Sequence, residues 1–356
     1  MARAEKIGWG EIVASALEGA WRRDPPASQL SAEELGLVAP LLDRSGAGAL
    51  AWWKVRGSQL SDTDAARGFQ QSYRLQTLRA AVREGEIESL FALLESAGVD
   101  ALLVKGWAAG RAYPSQGLRP TGDIDLCVMR SQYLKAKDVL ASPEGERFWV
   151  DLHDGVGELR DTPFEELYER SRVLELGGSR VRVLREEDQL RLLCFHMLRH
   201  GAWRPLWLCD VAAVVESRGE NFDWGRVLGG SRRRANWVLS ALGLAGRLLA
   251  ANVEGTPAEG SAARLPRWLV SSVLERWARP FAAEQGTLRH SAPMRAYLRR
   301  PRGLWKDLRN RWPGPVEATI AAGGRFDALP RWPFQLAHGL ARTADFLAGT
   351  SDAAVE

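Results

Sequence analysis

The sequence predicts an α+β protein in which a small mixed β-sheet over residues 99–185 lies between an N-terminal helical region, 1–98, and a C-terminal helical region, 186–356. Three observations carry this. Apolar residues recur at helical spacing through 8–55 and 62–97. Short alternating apolar runs follow near 99–104, 123–128 and 148–153, and a Gly177-Gly178 pair separates two more strand-like runs.

In chain order, Leu75, Leu78, Val82, Ile87, Leu90, Phe91 and Leu94 form the stripe of a long helix that Gly98 ends. Residues 99–104 then read as a buried strand, bounded by Asp100 and Gly106. A short helix over 107–113 stops before Pro114, and a loop with Gly117, Arg119, Pro120 and Gly122 leads to the second strand. Ser131 is the expected cap of a helix running to Leu140. Phe148-Trp149-Val150-Asp151-Leu152-His153 alternates as a third strand. Residues 173–176 and 180–184 form a hairpin, its two glycines supplying the positive φ angles of a tight turn. Beyond Glu186 the strand signal ends. Helices are expected at 186–200, 206–218, 235–251, 264–277 and 336–348, with Pro- and Arg-rich connections over 279–333.

A chain of 356 residues calls for two or three substructures. With 46% apolar and 26% charged residues it has an ordinary globular composition, not a disordered or membrane one. The net charge of +4 is spread among many acids, a mild bias towards anionic partners rather than a nucleic-acid footprint. Cys127, Cys194 and Cys209 are odd in number and irregular in spacing, so no disulfide framework is expected and a reducing cytoplasm fits. The N-terminus lacks the pattern of a signal peptide, and the longest apolar stretch, 237–253, is broken by Arg247 and too short to cross a bilayer. No integral membrane segment is expected.

The chemistry gathers at Gly122-Asp123-Ile124-Asp125-Leu126-Cys127-Val128. In a strand the side-chain period is two, so Asp123 and Asp125 share one face while Ile124 and Leu126 take the other. Two carboxylates on one face repel, and a divalent ion relieves the repulsion. A pair of ions about 3.5–4 Å apart supports in-line phosphoryl or nucleotidyl transfer. A third carboxylate is then needed from a neighbouring strand; Asp151 is the best placed, and His153 has its parity. Asp154 and Glu158 are poorer substitutes, at or beyond the strand end. Upstream, Lys105-Gly106 lies where a strand enters a helix. Glycine there admits a close ligand, the first-turn N–H groups favour phosphate oxygens, and Lys105 adds a point charge.

This ordered set, a strand ending in Lys-Gly, a short helix, an Arg-containing loop, Gly-Asp-Ile-Asp-Leu and a later Val-Asp-Leu-His, resembles the nucleotidyltransferases of the DNA polymerase β superfamily. More closely it resembles an uncharacterised bacterial nucleotidyltransferase family with Lys-Gly in its first motif. The likeness extends to 190–196, His200, Trp207-Leu208-Cys209-Asp210-Val211 and Leu329-Pro330-Arg331-Trp332-Pro333. The resemblance implies that Gly106 and the amides after it hold the triphosphate of a nucleoside triphosphate. It implies that Asp123 and Asp125 bind two magnesium ions, manganese being the alternative, and that Asp151 binds the one that activates the acceptor. Many superfamily members have serine after the first-motif glycine; here Trp107 follows. Phosphate binding then falls to backbone N–H groups, Lys105 or Arg119, and His153 joins these nucleotide-binding candidates. The acceptor, a small molecule, a peptide or protein, or RNA, is left open.

Two other readings stand beside this one. A non-catalytic binding or regulatory protein of the same fold, for instance antitoxin-like, draws on Trp107. A nucleotide-sugar glycosyltransferase also uses Asp-x-Asp, but it calls for a larger parallel sheet ahead of the acids, where this chain has helices. His196 and His200, at i and i+4, have zinc-ligand spacing without the glutamate of His-Glu-x-x-His, since Met197 follows His196. Helix packing or a hydrogen bond to Asp210 is the favoured reading, with a lining of the acceptor or base pocket as a third. Trp52, Trp53, Trp203, Trp207, Trp224, Trp237 and Trp268 fall in helical apolar patterns and read as packing residues. The basic run 299–312 reads as a solvated helix face, with an anion or membrane-surface patch as the alternative.

Overall fold

The structure is a computed structural model and describes residues 3–279 and 312–347. It is mostly helical, with one five-stranded mixed sheet. Helices α1 (Arg3–Leu17), α2 (Ala32–Arg44), α3 (Gly48–Val55) and α4 (Asp64–Ser96) precede the sheet. Ser31 opens α2 with a capping box to Glu34, and Thr63 caps α4 through the Ala66 N–H.

The sheet region runs β1 (Ala101–Leu103), α5 (Gly106–Gly110), β2 (Ile124–Val128), α6 (Tyr133–Leu140), β3 (Val150–Asp154), α7 (Phe164–Arg170), β4 (Arg172–Leu176) and β5 (Ser179–Val183). The strand order is β3-β2-β1-β5-β4. β2 pairs antiparallel with β1 and parallel with β3, and the β4–β5 hairpin joins through the parallel β1–β5 contact. Of the two glycines in the hairpin turn only Gly177 has positive φ, at +57°. A side chain there would collide with the Glu88 carboxylate of α4, which accepts a 2.7 Å hydrogen bond from the Gly178 N–H. Ser131 is not the cap of α6: a 3-10 turn over Arg130–Gln132 leads into that helix, which has no side-chain cap.

Helices α8 (Glu186–Arg199), α9 (Pro205–Glu216), α10 (Trp224–Val227), α11 (Arg232–Leu249), α12 (Ser261–Arg264), α13 (Arg267–Trp277), α14 (Pro315–Ala321) and α15 (Trp332–Leu347) follow. The single helix expected over 264–277 is two, because Pro266 cannot supply an interior N–H and instead starts α13. The basic run 299–312, apart from Trp312, lies outside the described residues. Among the described residues, no helix is long and apolar enough to cross a membrane.

Two cores form. One face of the sheet, with Leu103, Ile124, Leu126, Val128 and Val181, packs on Ile87, Leu90, Phe91 and Leu94 of α4. Burying each such side chain contributes roughly 1.5–3 kcal/mol. The other face sends Leu102, Val104 and Cys127 into a larger core. That core runs without a break through α1–α3 and through α8, α9, α11 and α13. Asp125 lies between Ile124 and Leu126 and therefore looks towards this second side, where the sheet meets α8 and α9.

Candidate active site

The parallel β2–β3 pairing sets Asp125 directly opposite Asp151 and Cys127 opposite His153. Asp125, Asp151 and His153 each offer one ligand atom within 4.8 Å of the others, so this trio could hold a metal ion. His153 Nε2 lies 2.8 Å from Asp151 Oδ2 and 3.9 Å from Asp125 Oδ1. It is buried, yet out of line for a hydrogen bond to either. A buried imidazole nitrogen facing two carboxylates without a bond between them suits a common ligand at their centre. Asp125 and Asp151 offer it oxygen donors and His153 Nε2 a nitrogen donor.

Asp123 sits in the bend just before β2 and lies outside the tight trio. Its carboxyl is pushed above the ordinary range, first by burial and then by repulsion from Asp125 and Asp151. Burial pushes Asp125 the same way, but the His153 contact and the Lys105 ammonium outweigh it and hold this carboxylate below its usual value. His153 is raised to about 9 by Asp125 and then Asp151. One low carboxylate, one raised carboxylate and one raised imidazole side by side mark a place where charges have been brought together at a cost.

Lys105 Nζ lies 3.0 Å from Asp125 Oδ1, and both side chains are largely buried. The lysine also takes the backbone bend: its φ of +51° and ψ of −129° turn the chain from β1 into α5. Gly106, by contrast, has no positive φ. A Cβ there would stand 3.7 Å from Asp125 Oδ2 and 3.8 Å from Arg119 Nη1, which is ordinary contact. Gly106 itself is buried, with Asp125 and Arg119 close over it.

Trp107 and Arg119 turn inward. The Trp107 ring lies in the core between sheet and α4, its Nε1 donating to Glu84 Oε1 at 3.2 Å. Arg119 is buried and donates to both carboxylate oxygens of Asp210, from Nε at 3.3 Å and from Nη2 at 3.1 Å, while Nη1 donates to the Pro120 carbonyl at 2.9 Å. Tyr113 donates its hydroxyl to the same Asp210 at 2.8 Å. This cluster ties the loop before β2 to α9. On the other side Arg83 of α4 donates to the Gly122 carbonyl, next to Asp123.

Sequence reasoning passed over one pair. His196 on α8 contacts not Asp210 but Glu158, Nδ1 to Oε1 at 3.2 Å. Burial pushes Glu158 up, but the His196 hydrogen bond and the Lys105 charge bring it down to about 2. His196 in turn acts electrostatically on Asp125, so this pair and the Lys105–Asp125 pair form one charge cluster. The loop carrying Glu158 is held from behind: Arg234 donates to its carbonyl, and Asp161 pairs with Arg191 at 2.8 Å and with Arg234 at 3.0 Å. The rings of His196, His200, Trp203 and Trp207 form a continuous aromatic wall, with neighbouring centroids 4.6–5.4 Å apart. The sequence signalled the histidine spacing and named Glu158 only as a poorer third carboxylate; nothing in it joined the two.

A family model described as an uncharacterised nucleotidyltransferase matches residues 33–252. The chain belongs to this family. The match opens in α2 and closes just after α11, so the family's shared part contains the whole sheet, the carboxylates, Lys105 and the α8–α9 wall, while α1 and α12–α15 lie outside it. No curated protein and no solved structure matches the chain.

Proposed function

We propose that the protein is a magnesium-dependent nucleotidyltransferase that moves a nucleoside monophosphate from a nucleoside triphosphate to an acceptor hydroxyl or phosphate, releasing pyrophosphate. The observation that carries this reading is the Asp125–Asp151 juxtaposition across two parallel strands, with His153 and Lys105 on the same spot, in a chain of a nucleotidyltransferase family. Asp123, Asp125 and Asp151 would hold the metal, which when bound neutralises phosphate charge during in-line displacement at the α-phosphorus. Lys105 would meet a phosphate oxygen, moving between Asp125 and the ligand. Gly106 and the amides after it would hold the triphosphate. His153 would join Lys105 in meeting the nucleotide, and the Arg119–Asp210–Tyr113 cluster would fix the loop that delivers Asp123.

Trp107 is directed into the core between the sheet and α4, so the absence of a first-motif serine leaves phosphate contacts to Lys105 and backbone N–H groups. That favours an active enzyme over a binding protein that has lost catalysis. The test is to incubate the full chain with each α-labelled ribonucleoside triphosphate, magnesium and cell extract. Label should pass to an acceptor with release of pyrophosphate, and Asp125→Asn should abolish transfer while preserving the melting temperature. Transfer undiminished in that variant would overturn the site; no transfer by the wild type would overturn the activity.

A further inference from the structure

The apolar stripe of α4 does not all reach the core. Ile87, Leu90, Phe91 and Leu94 pack on the sheet, but Leu75, Leu78 and Val82 stay in solvent, 46%, 68% and 64% exposed. Gly85, Ser89 and Ala92 continue their line and are exposed as well; a Cβ at Gly85 would meet nothing within 4 Å. These six recur at alternating intervals of three and four residues, the spacing of about 3.5 that forms a straight seam between two helices.

Charge on this helix is segregated. From Ala65 to Arg83 it has four arginines and no acid, and from Glu84 to Ser96 four glutamates and no base. That order runs against the helix dipole, which favours acids near the N-terminus and bases near the C-terminus, so the stability of α4 itself does not account for it. Contacts within the chain account for part: Arg83 serves the Gly122 carbonyl, Glu84 serves Trp107 and Gln116, and Glu88 serves the Gly178 N–H. Arg74, Arg79 and Glu95 are exposed and have no ion pair among the described residues.

We infer that this face of α4 docks a second copy of the chain, the two α4 helices lying antiparallel about a two-fold axis between Arg83 and Glu84. Such an axis makes the face its own complement. Val82 then meets the partner's Gly85, Leu78 the partner's Ser89 and Leu75 the partner's Ala92, so each large side chain falls on a small one. Beside the seam Arg79 meets the partner's Glu86, which already pairs with Arg83 at 2.7 Å in its own helix, and Arg74 meets the partner's Glu95. The two-fold doubles both pairs. A parallel arrangement would instead set the basic halves side by side and the acidic halves side by side. Asp125 looks to the opposite face of the sheet from α4, so the second copy leaves the carboxylate site uncovered. From Leu75 to Ala92 the seam is only about 25 Å long, which suits a dissociation constant on the order of micromolar.

The test is sedimentation equilibrium of the full chain over a dilution series, which should show a monomer–dimer equilibrium. Leu78→Glu and, separately, Val82→Glu should be monomeric at every concentration, with the far-ultraviolet circular dichroism of the wild type. Arg74→Glu and Glu95→Arg each turn two attractive pairs into repulsive ones and should each raise the dissociation constant about tenfold. An equimolar mixture of these two variants restores opposite charges at both positions and should form heterodimers as tight as the wild-type dimer. Because residues 74 and 95 meet only when the helices are antiparallel, a mixture no tighter than either variant alone overturns the arrangement. A wild type that stays monomeric, its α4 face covered by its own chain or by nothing, overturns the inference, as does a dimer that survives both glutamate substitutions. None of these readouts depends on nucleotidyl transfer.

Discussion

Lys105 carries a backbone constraint and a charge at the same position. Its φ of +51° is a conformation that side chains with a Cβ adopt at a cost of about 1–3 kcal/mol, and its ammonium is one of the groups that hold Asp125 ionised. A residue strained in this way beside a carboxylate cluster is tolerated where its side chain is needed. Lys105→Ala and Lys105→Gly both remove the charge, but only glycine accepts the backbone conformation without strain. The glycine variant should therefore be the more stable of the two by about 1 kcal/mol or more, as measured by urea unfolding, while both lose nucleotidyl transfer. Equal stabilities would mean that the bend is not strained. At this scale the sequence pointed to Lys105-Gly106, the glycine for a close ligand and the lysine for its charge. That the lysine also takes the backbone bend is decided only by the way β1 enters α5.

At the scale of elements, α8 is the one on which the site and the stability of the fold meet. It presents His196 to Glu158 and carries His200 one turn on, where burial, and then the neighbouring His196 and Arg199 charges, hold the His200 imidazole at about 3. The unfolded chain takes up a proton at this histidine below about 6.5, whereas the folded protein does not until about 3. Stability contributed by a neutral His200 is thus complete above pH 6.5 and is lost as pH falls towards 3. Glu158, lowered to about 2, adds a second loss that begins below about 4.5. Urea-unfolding free energies should fall steadily from pH 6.5 to 4.5, and His200→Gln should flatten that upper segment while leaving the decline below 4.5. An unchanged slope in the variant would remove His200 from the account. The helix itself was legible as an apolar stripe over 186–200. Its polar contacts were not, because Glu158 comes from a loop whose path depends on Asp161, Arg191 and Arg234 rather than on any local pattern.

Across the whole molecule the sheet is covered on both faces by chain from outside 99–185: α4 on one side, and the core shared by α1–α3, α8, α9, α11 and α13 on the other. A fragment of residues 99–185 exposes Leu103, Ile124, Leu126 and Val128 on one face and Leu102, Val104 and Cys127 on the other, and it also separates Arg119 from Asp210. Expressed alone it should give no near-ultraviolet circular dichroism and no cooperative melt, and a native-like fragment would mark the sheet as an independent unit. The three-part reading along the chain came from a change in periodicity, and periodicity reports local structure, not which segments share a core. The long helix ending at Gly98, the Gly177-Gly178 hairpin and the strand that carries Asp125 are all set by local rules of turn chemistry and side-chain period, so the amino-acid order was enough to find them. That Asp151 stands directly across from Asp125, that Arg119 and Trp107 face inward, and that Glu158 meets His196 depend on strand register and on helix docking. Those are fixed by contacts between residues far apart in the chain, where the summed burial of two cores, and not any short motif, selects the arrangement.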